Sequence, residues 1–129
     1  MIIIIVLLPF SIGNIMTDIS EYATMKTVTA TCYNATVKQC DSDPSTTAFG
    51  YKVNMRYPDD QRYLAISRDL EEYYSSGDTV MINGTGVYDG LWMIADRMNR
   101  RWERKIDFLV APDDHIAKFD NITIVKINK

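Results

Sequence analysis

The chain is a succession of short runs in which β-branched and apolar residues alternate with polar ones, each closed by Gly, Pro, Asn, Asp or Ser. A period of two marks a half-buried strand, and the closing residues mark turns. Met25 to Tyr33 (M-K-T-V-T-A-T-C-Y) is the first such run. Asn34 to Thr47 follows as a loop rich in Thr, Ser and Asp and holding Pro44. A short strand is expected over Phe49 to Val53, a turn at Pro58-Asp59-Asp60, and a strand over Arg62 to Ser67. Ser67 can then cap a short helix over Arg68 to Tyr74, with Glu71 and Glu72 early in it, where the helix dipole favours acids. After the break at Gly77-Asp78, Thr79 to Asn83 reads as a strand and Gly84-Thr85-Gly86 as a turn. Val87-Tyr88 can form a further short strand, and Asp89-Gly90 is a hairpin signal ahead of a strand over Leu91 to Asp96. A basic stretch separates this strand from another at Ile106 to Ala111. Pro112-Asp113-Asp114 opens a short helix through Phe119, Pro being suited to the first turn, and Asn121 to Ile127 alternates as a closing strand. Six short strands, joined by Phe49 to Val53 or Val87-Tyr88 if one of these also pairs, with two short helices predict a mainly β fold, closed into a barrel rather than laid out as a doubly wound sheet.

The 129 residues suffice for one domain with a single core and are too few for two. A net charge of −3, from 14 basic and 17 acidic residues, argues against a dedicated nucleic-acid binder, so no nucleic-acid partner is expected. Eight Tyr, four Phe and two Trp suit β structure and also stacking on sugar faces. Met1 to Phe10 is nearly all Ile, Val and Leu. This run is shorter than the roughly 20 residues that span a bilayer, so no stable transmembrane anchor is expected. It has the length of a signal-peptide apolar region, and Ser11-Ile12-Gly13 offers a cleavage site, although no Lys or Arg precedes it. A buried N-terminal strand is the alternative. Residues 1–24 are thus read as a signal or lead-in segment and residues 25–129 as the barrel domain. Cys32 and Cys40, the two cysteines, are spaced for a small disulfide loop in an exported protein. With His115 the single histidine, they fall short of the four ligands of a structural zinc site, and neither a metal nor another cofactor is expected.

The stretch I-A-D-R-M-N-R-R-W-E-R-K-I-D-F carries the candidate chemistry. Asp96 and Asp107 stand eleven residues apart, each after a short apolar run. If the flanks are strands and the middle is their connection, both acids reach one mouth of a sheet. Between them lie Arg97, Arg100, Arg101, Arg104, Lys105 and Trp102. Two acids beside a basic, aromatic loop suit an enzyme acting on an anionic sugar polymer. Arg97 and Arg101 could grip carboxylates in bidentate fashion, and Trp102 could stack on a sugar ring. Two solvated aspartates, with Trp102 folded back on the barrel, are the alternative.

Four segments in order resemble the 3D domain, the family named for three aspartates. T-A-T-C-Y at Thr29 to Tyr33 is similar to its opening strand, T-T-A-F-G at Thr46 to Gly50 to its T-A-S-G-type motif, and G-D-T-V-M-I at Gly77 to Ile82 to its G-T-x-V-x-I strand. A-D-R-M-N followed by K-I-D-F is similar to its D-T-G/D-R-G segment and the R-I-D strand eleven residues on. The resemblance covers roughly residues 27 to 127. It implies a six-stranded double-psi β-barrel and kinship with membrane-bound lytic transglycosylase A, rare lipoprotein A and, more distantly, expansins and family 45 endoglucanases. By this resemblance Asp107 is the catalytic acid/base and Asp96 the residue that orients or tunes it. Tyr33, Thr47 and Asp43 fall where the family's groove-lining residues sit, and Asp69 lies two residues from the place of its remaining aspartate. The family's glycine-rich loop is replaced here by D-R-M-N-R-R-W-E-R.

The activity so implied is cleavage of the β-1,4 bond between N-acetylmuramic acid and N-acetylglucosamine in peptidoglycan glycan strands. One carboxylic acid protonates the leaving oxygen and, as carboxylate, takes the proton of the sugar's own 6-hydroxyl. A nearby carboxylate and partial burial would both raise its pKa. The expected setting is export to the periplasm or cell envelope, in wall remodelling, or association with a phage in lysis or penetration. A non-catalytic barrel that binds glycan, or a structural phage component, is the alternative reading.

Overall fold

An alternating strand presents its apolar residues on one face only, and six such strands bury that face most completely by closing on themselves. The computed structural model describes residues 25–36, 43–112 and 117–127. Its strands are β1 (Met25–Asn34), β2 (Tyr63–Ile66), β3 (Thr79–Asn83), β4 (Gly90–Arg97), β5 (Lys105–Val110) and β6 (Lys118–Lys126). They form a closed barrel in the order β1-β5-β2-β4-β3-β6. The pairs β1/β5 and β2/β4 are parallel; the other four are antiparallel. Exchanging β1 with β4, β2 with β5 and β3 with β6 maps this set of pairings onto itself, so the barrel has the internal two-fold pattern of two interlocked halves. In the strand order β5 lies between β1 and β2, and β2 lies between β4 and β5, an arrangement consistent with a double-psi barrel.

The interior is built from the inward positions of the alternating runs. Val28, Ala30 and Cys32 of β1 are buried, as are Leu64 and Ile66 of β2 and Ile106 and Phe108 of β5. Phe108 is the aromatic centre of the core, with its ring 4.7 Å from that of Trp92 and 5.1 Å from that of Tyr88. Tyr74 is fully buried, and its hydroxyl donates to the Ile124 carbonyl at 3.1 Å.

Strand positions follow the alternation to within a few residues, and the differences have local causes. Phe49 to Val53 is not a strand; a single bridge between Thr46 and Lys52 closes a tight loop, held by Gly50 N–H donating to the Thr47 carbonyl at 2.9 Å. Val87-Tyr88 lies in a turn, because Asp89 accepts from the Thr85 N–H and hydroxyl and the Thr85 hydroxyl accepts from the Tyr88 N–H. These side-chain bonds offer the backbone an alternative to a ladder. Ser67 is extended as a cap should be, but its hydroxyl accepts from the Lys105 N–H at 3.0 Å, and the segment after it is a 3-10 turn, Arg68–Glu72. The second helical element is the 3-10 turn Pro58–Gln61. Of the helix expected from Pro112 to Phe119, residues 113–116 lie outside the described residues, and Lys118 and Phe119 open β6 instead. The lead-in segment 1–24 and Cys40 also lie outside them. Among the described residues, no helix is long and apolar enough to cross a membrane.

Candidate active site on the outer face of the barrel

Register brings the two acids together through a third strand. Ala65 of β2 is opposite Asp107 of β5 on one side and Asp96 of β4 on the other. Asp107 is in turn opposite Thr31 of β1. Thr31, Asp107, Ala65 and Asp96 therefore form one row across four strands. Their chain neighbours Ala30, Cys32, Ile106, Phe108, Leu64 and Ile66 are core residues, so the row faces outward. Asp96 reaches this row only through an irregularity in β4. Leu64 pairs with Ile94, but Ala65 pairs with Asp96, which leaves Ala95 as an extra, fully buried residue. Without the bulge Ala95 would occupy the row and Asp96 would point into the apolar core. Re-aiming a side chain is a recurrent use of bulges.

The two carboxylates have unlike surroundings. Asp96 accepts three hydrogen bonds: Oδ1 from the Ala48 N–H at 2.7 Å and the Arg97 N–H at 2.9 Å, Oδ2 from the Tyr33 hydroxyl at 2.8 Å. Tyr33 shares the outer face of β1 with Thr31, two residues earlier. Ala48 is held in place by Thr47, which is buried; its N–H donates to the Tyr51 carbonyl at 2.9 Å and its hydroxyl accepts from the Tyr51 N–H at 3.1 Å. The loop between β1 and β2 is thereby tied to the end of β4. Asp107 is partly buried and accepts from the Thr31 hydroxyl at 2.9 Å. Burial pushes its carboxyl up to about 6; the Thr31 hydrogen bond and the Lys105 charge oppose this, and Asp96 adds a smaller push in the same direction. Desolvation, more than the neighbouring carboxylate, is thus what sets Asp107 apart. The spacing explains this order, because two strand separations, about 9.5 Å, lie between the Asp96 and Asp107 backbones.

The other residues predicted for the site are distributed unevenly. Arg97 is engaged by Glu71 through both Nε and Nη2, at 2.7 and 2.6 Å, and its guanidinium lies 5.1 Å from the centre of the Phe49 ring. The hydrogen bonds from Arg97 hold the Glu71 carboxyl below its usual range. Trp102 is partly buried, with the Arg101 guanidinium 4.7 Å and the Lys105 ammonium 3.5 Å from its ring centre. Asp69 does not join the row. Its carboxylate accepts from the Arg104 N–H at 3.0 Å, on the wall of a separate groove of about 480 Å³ shared with Met25, Lys26 and Tyr73. Asp43 is exposed and closes a turn by accepting from the Ser45 N–H and hydroxyl. Cys32 is buried in the core, and the predicted Cys32–Cys40 pairing lies outside the described residues. Among the described residues, no group of three or more His, Cys, Asp or Glu is placed to hold a metal ion.

Three participants escaped the sequence reading. Thr31 was legible in principle, since it shares the outward phase of Tyr33. Glu71 and the Ala48 N–H carried no sequence signal, because their partners are 26 and 48 residues away. Comparison with known protein families, with curated proteins and with solved structures finds no match.

Proposed function

We propose that the chain cleaves the glycan strands of peptidoglycan as a lytic transglycosylase, with Asp107 as the single acid/base, and that it is akin to the 3D-domain and rare lipoprotein A proteins. The observation that carries this reading is the outward row in which a partly buried Asp107, titrating at about 6, stands near a firmly held Asp96. A carboxyl with that pKa can hold a proton for the leaving oxygen and release it near neutral pH. Asp107 protonates the glycosidic oxygen as the C1–O4 bond breaks. Its carboxylate then takes the proton of the 6-hydroxyl as O6 bonds to C1, which closes the anhydro ring without water. Asp96, fixed by Tyr33 and Ala48, is suited to stabilise the positive charge that develops on the sugar. Such a substrate implies action in the cell envelope or during phage lysis or penetration; an intact Met1 on the mature protein would argue against export through a cleaved signal.

Digestion of purified sacculi, with mass spectrometry of the products, tests the assignment. The wild type should release anhydro-muropeptides, and Asp107→Asn should slow their release by about 10²- to 10⁴-fold. Undiminished release by Asp107→Asn would refute Asp107 as the acid. The engagement of Arg97 by Glu71 favours a second reading, a glycan-binding or phage-structural barrel without activity, since it removes one free cation from the loop. Intact sacculi with co-sedimenting protein would support that reading.

A further inference from the structure

The outward positions differ between the two sides of the barrel. Met25 of β1 is opposite Val125 of β6, Val125 is opposite Met81 of β3, and Met81 is opposite Leu91 of β4. These four side chains form one row across four strands. Val80, Ile82, Trp92 and Ile124, beside them in the chain, are core residues, so the row faces outward. Thr79 and Met93, opposite each other, extend the face by a second row. None of the six is charged, and Met81 and Leu91 are 39% and 49% exposed. The outer face of an antiparallel sheet that meets water is ordinarily polar, so a contiguous apolar face marks a contact. The row of Asp96 and Asp107 crosses β5 and β2, whereas this one crosses β6 and β3. A cover here therefore does not lie over the acids.

The chain itself supplies a cover of matching character. Residues 1–24 lie outside the described residues and join the barrel at Met25, the first member of the row. Within them, residues 2–8 are seven apolar residues without interruption, five of them β-branched. The size of the face decides between this run and a second copy of the barrel. Four strands span about 14 Å, and seven extended residues reach about 23 Å, enough to cross them. A stable dimer buries some 20–30 residues a side, several times what two short rows offer. Residues 11–24 can extend to at most about 50 Å, ample for a return to the row. Such a tether keeps the run at roughly millimolar effective concentration, which a separate partner lacks. The Met side chains, unbranched and polarizable, adapt to an apolar neighbour of irregular shape.

We propose that the outward face formed by Met25, Val125, Met81 and Leu91 is the seat of the chain's own apolar run, residues 2–8. The run is then a lasting part of the folded protein rather than a signal removed on export. This inference is independent of the cleavage proposed at Asp107.

Oxidation of methionine by dilute hydrogen peroxide, followed by peptide mass spectrometry, tests it on the full chain. Met81 is the reporter on the face. Met55, 49% exposed in the loop between β1 and β2, sets the rate of an open side chain, and the buried Met98 reports on the integrity of the barrel. With the run in place, Met81 should oxidise at least fivefold more slowly than Met55. Ile4→Asp with Val6→Asp should bring Met81 to within twofold of Met55 while Met98 stays slow, and the milder Ile4→Thr with Val6→Thr should move Met81 in the same direction. Equal rates for Met81 and Met55 in the unsubstituted chain would overturn the proposal, as would protection of Met81 that survives both pairs of substitutions. Protection that rises with protein concentration would assign the face to a second copy. Protection seen only with vesicles of phosphatidylethanolamine and phosphatidylglycerol would assign it to a membrane. Either result overturns the cover, and so does a mature chain that begins after Gly13.

Discussion

Asp107 is the residue at which folding and the proposed function pull against each other. Its folded-state pKa of about 6 lies above the ordinary 3.8, so the folded protein binds that proton more tightly than the unfolded chain does. Stability from the protonated form is fully present below about pH 3.8 and is lost as pH rises through about 6. A shift of this size corresponds to roughly 3 kcal/mol at most, and solvent access to the carboxyl brings the expected figure nearer 1–2 kcal/mol. Asp107→Asn should therefore be more stable than the wild type at pH 7 by about that amount, with the gap closing towards pH 4. Urea denaturation of both proteins across this range reads the difference directly, and groups that titrate in both cancel. A constant gap from pH 4 to 7.5 would show that burial does not disfavour the Asp107 charge.

At the scale of elements, the decisive feature is the extra residue in β4. Ala95 is fully buried, and its small side chain is what the bulge can accommodate behind Asp96. Ala95→Leu should overfill this space, at a cost of about 1–3 kcal/mol, and turn Asp96 away from Tyr33 and Ala48. A lowered melting temperature together with loss of the proposed glycan cleavage is expected; a wild-type melting temperature would mean that the bulge does not depend on a small residue at this position. The Arg97–Glu71 pair is a lesser contribution, because the two side chains are 35% and 28% exposed and such pairs give about 1 kcal/mol or less. Gly77 has a more specific reason to be glycine: its φ is +88°, and a Cβ there would stand 2.9 Å from the Tyr51 hydroxyl.

At the scale of the whole molecule, the barrel places its outward row over its most densely aromatic interior. Phe108, fully buried against Trp92 and Tyr88, is the inward neighbour of Asp107. Phe108→Ala should cost about 3–5 kcal/mol, a large share of the 5–15 kcal/mol that holds a domain of this kind together. Denaturant midpoints would register this loss, and a change under 1 kcal/mol would mean that the core is not organised around this ring. The two-fold pattern of pairings gives both halves the same kind of crossing connection. One connection brings Ala48 to Asp96, and the other carries Arg101 and Trp102 past the end of β2 to Lys105. The candidate site is thus assembled from the two places where the halves interlock.

The sequence alone determined six of the strands in outline and the class of fold, because alternation with a period of two is a local property that burial of one face imposes wherever the run sits; it also marked Phe49 to Val53 and Val87-Tyr88, which the fold makes a loop and a turn. Thr79 to Asn83 is the clearest case, read from its flanking glycines and found unchanged. The sequence also singled out Asp96 and Asp107 and, through the family resemblance, Tyr33 as a groove-lining residue; that the Tyr33 hydroxyl donates to Asp96 came only from the fold. Their meeting across Ala65 was a tertiary matter. Asp96 reaches the outer face through a bulge that alternation does not announce, and β2, 30 residues before Asp96 in the chain at Ile66, is the strand inserted between the acids. Side-chain bonds over long separations also decided that Arg97 belongs to Glu71, that the Ser67 hydroxyl serves Lys105 rather than a helix, and that Asp69 stands apart. The basic stretch marked out by the sequence is divided by the fold: one cation is bound to an acid, and two are held over Trp102 beside Asp107. Composition supplies the charges, but only the closed barrel fixes which of them, among the described residues, are paired with an acid.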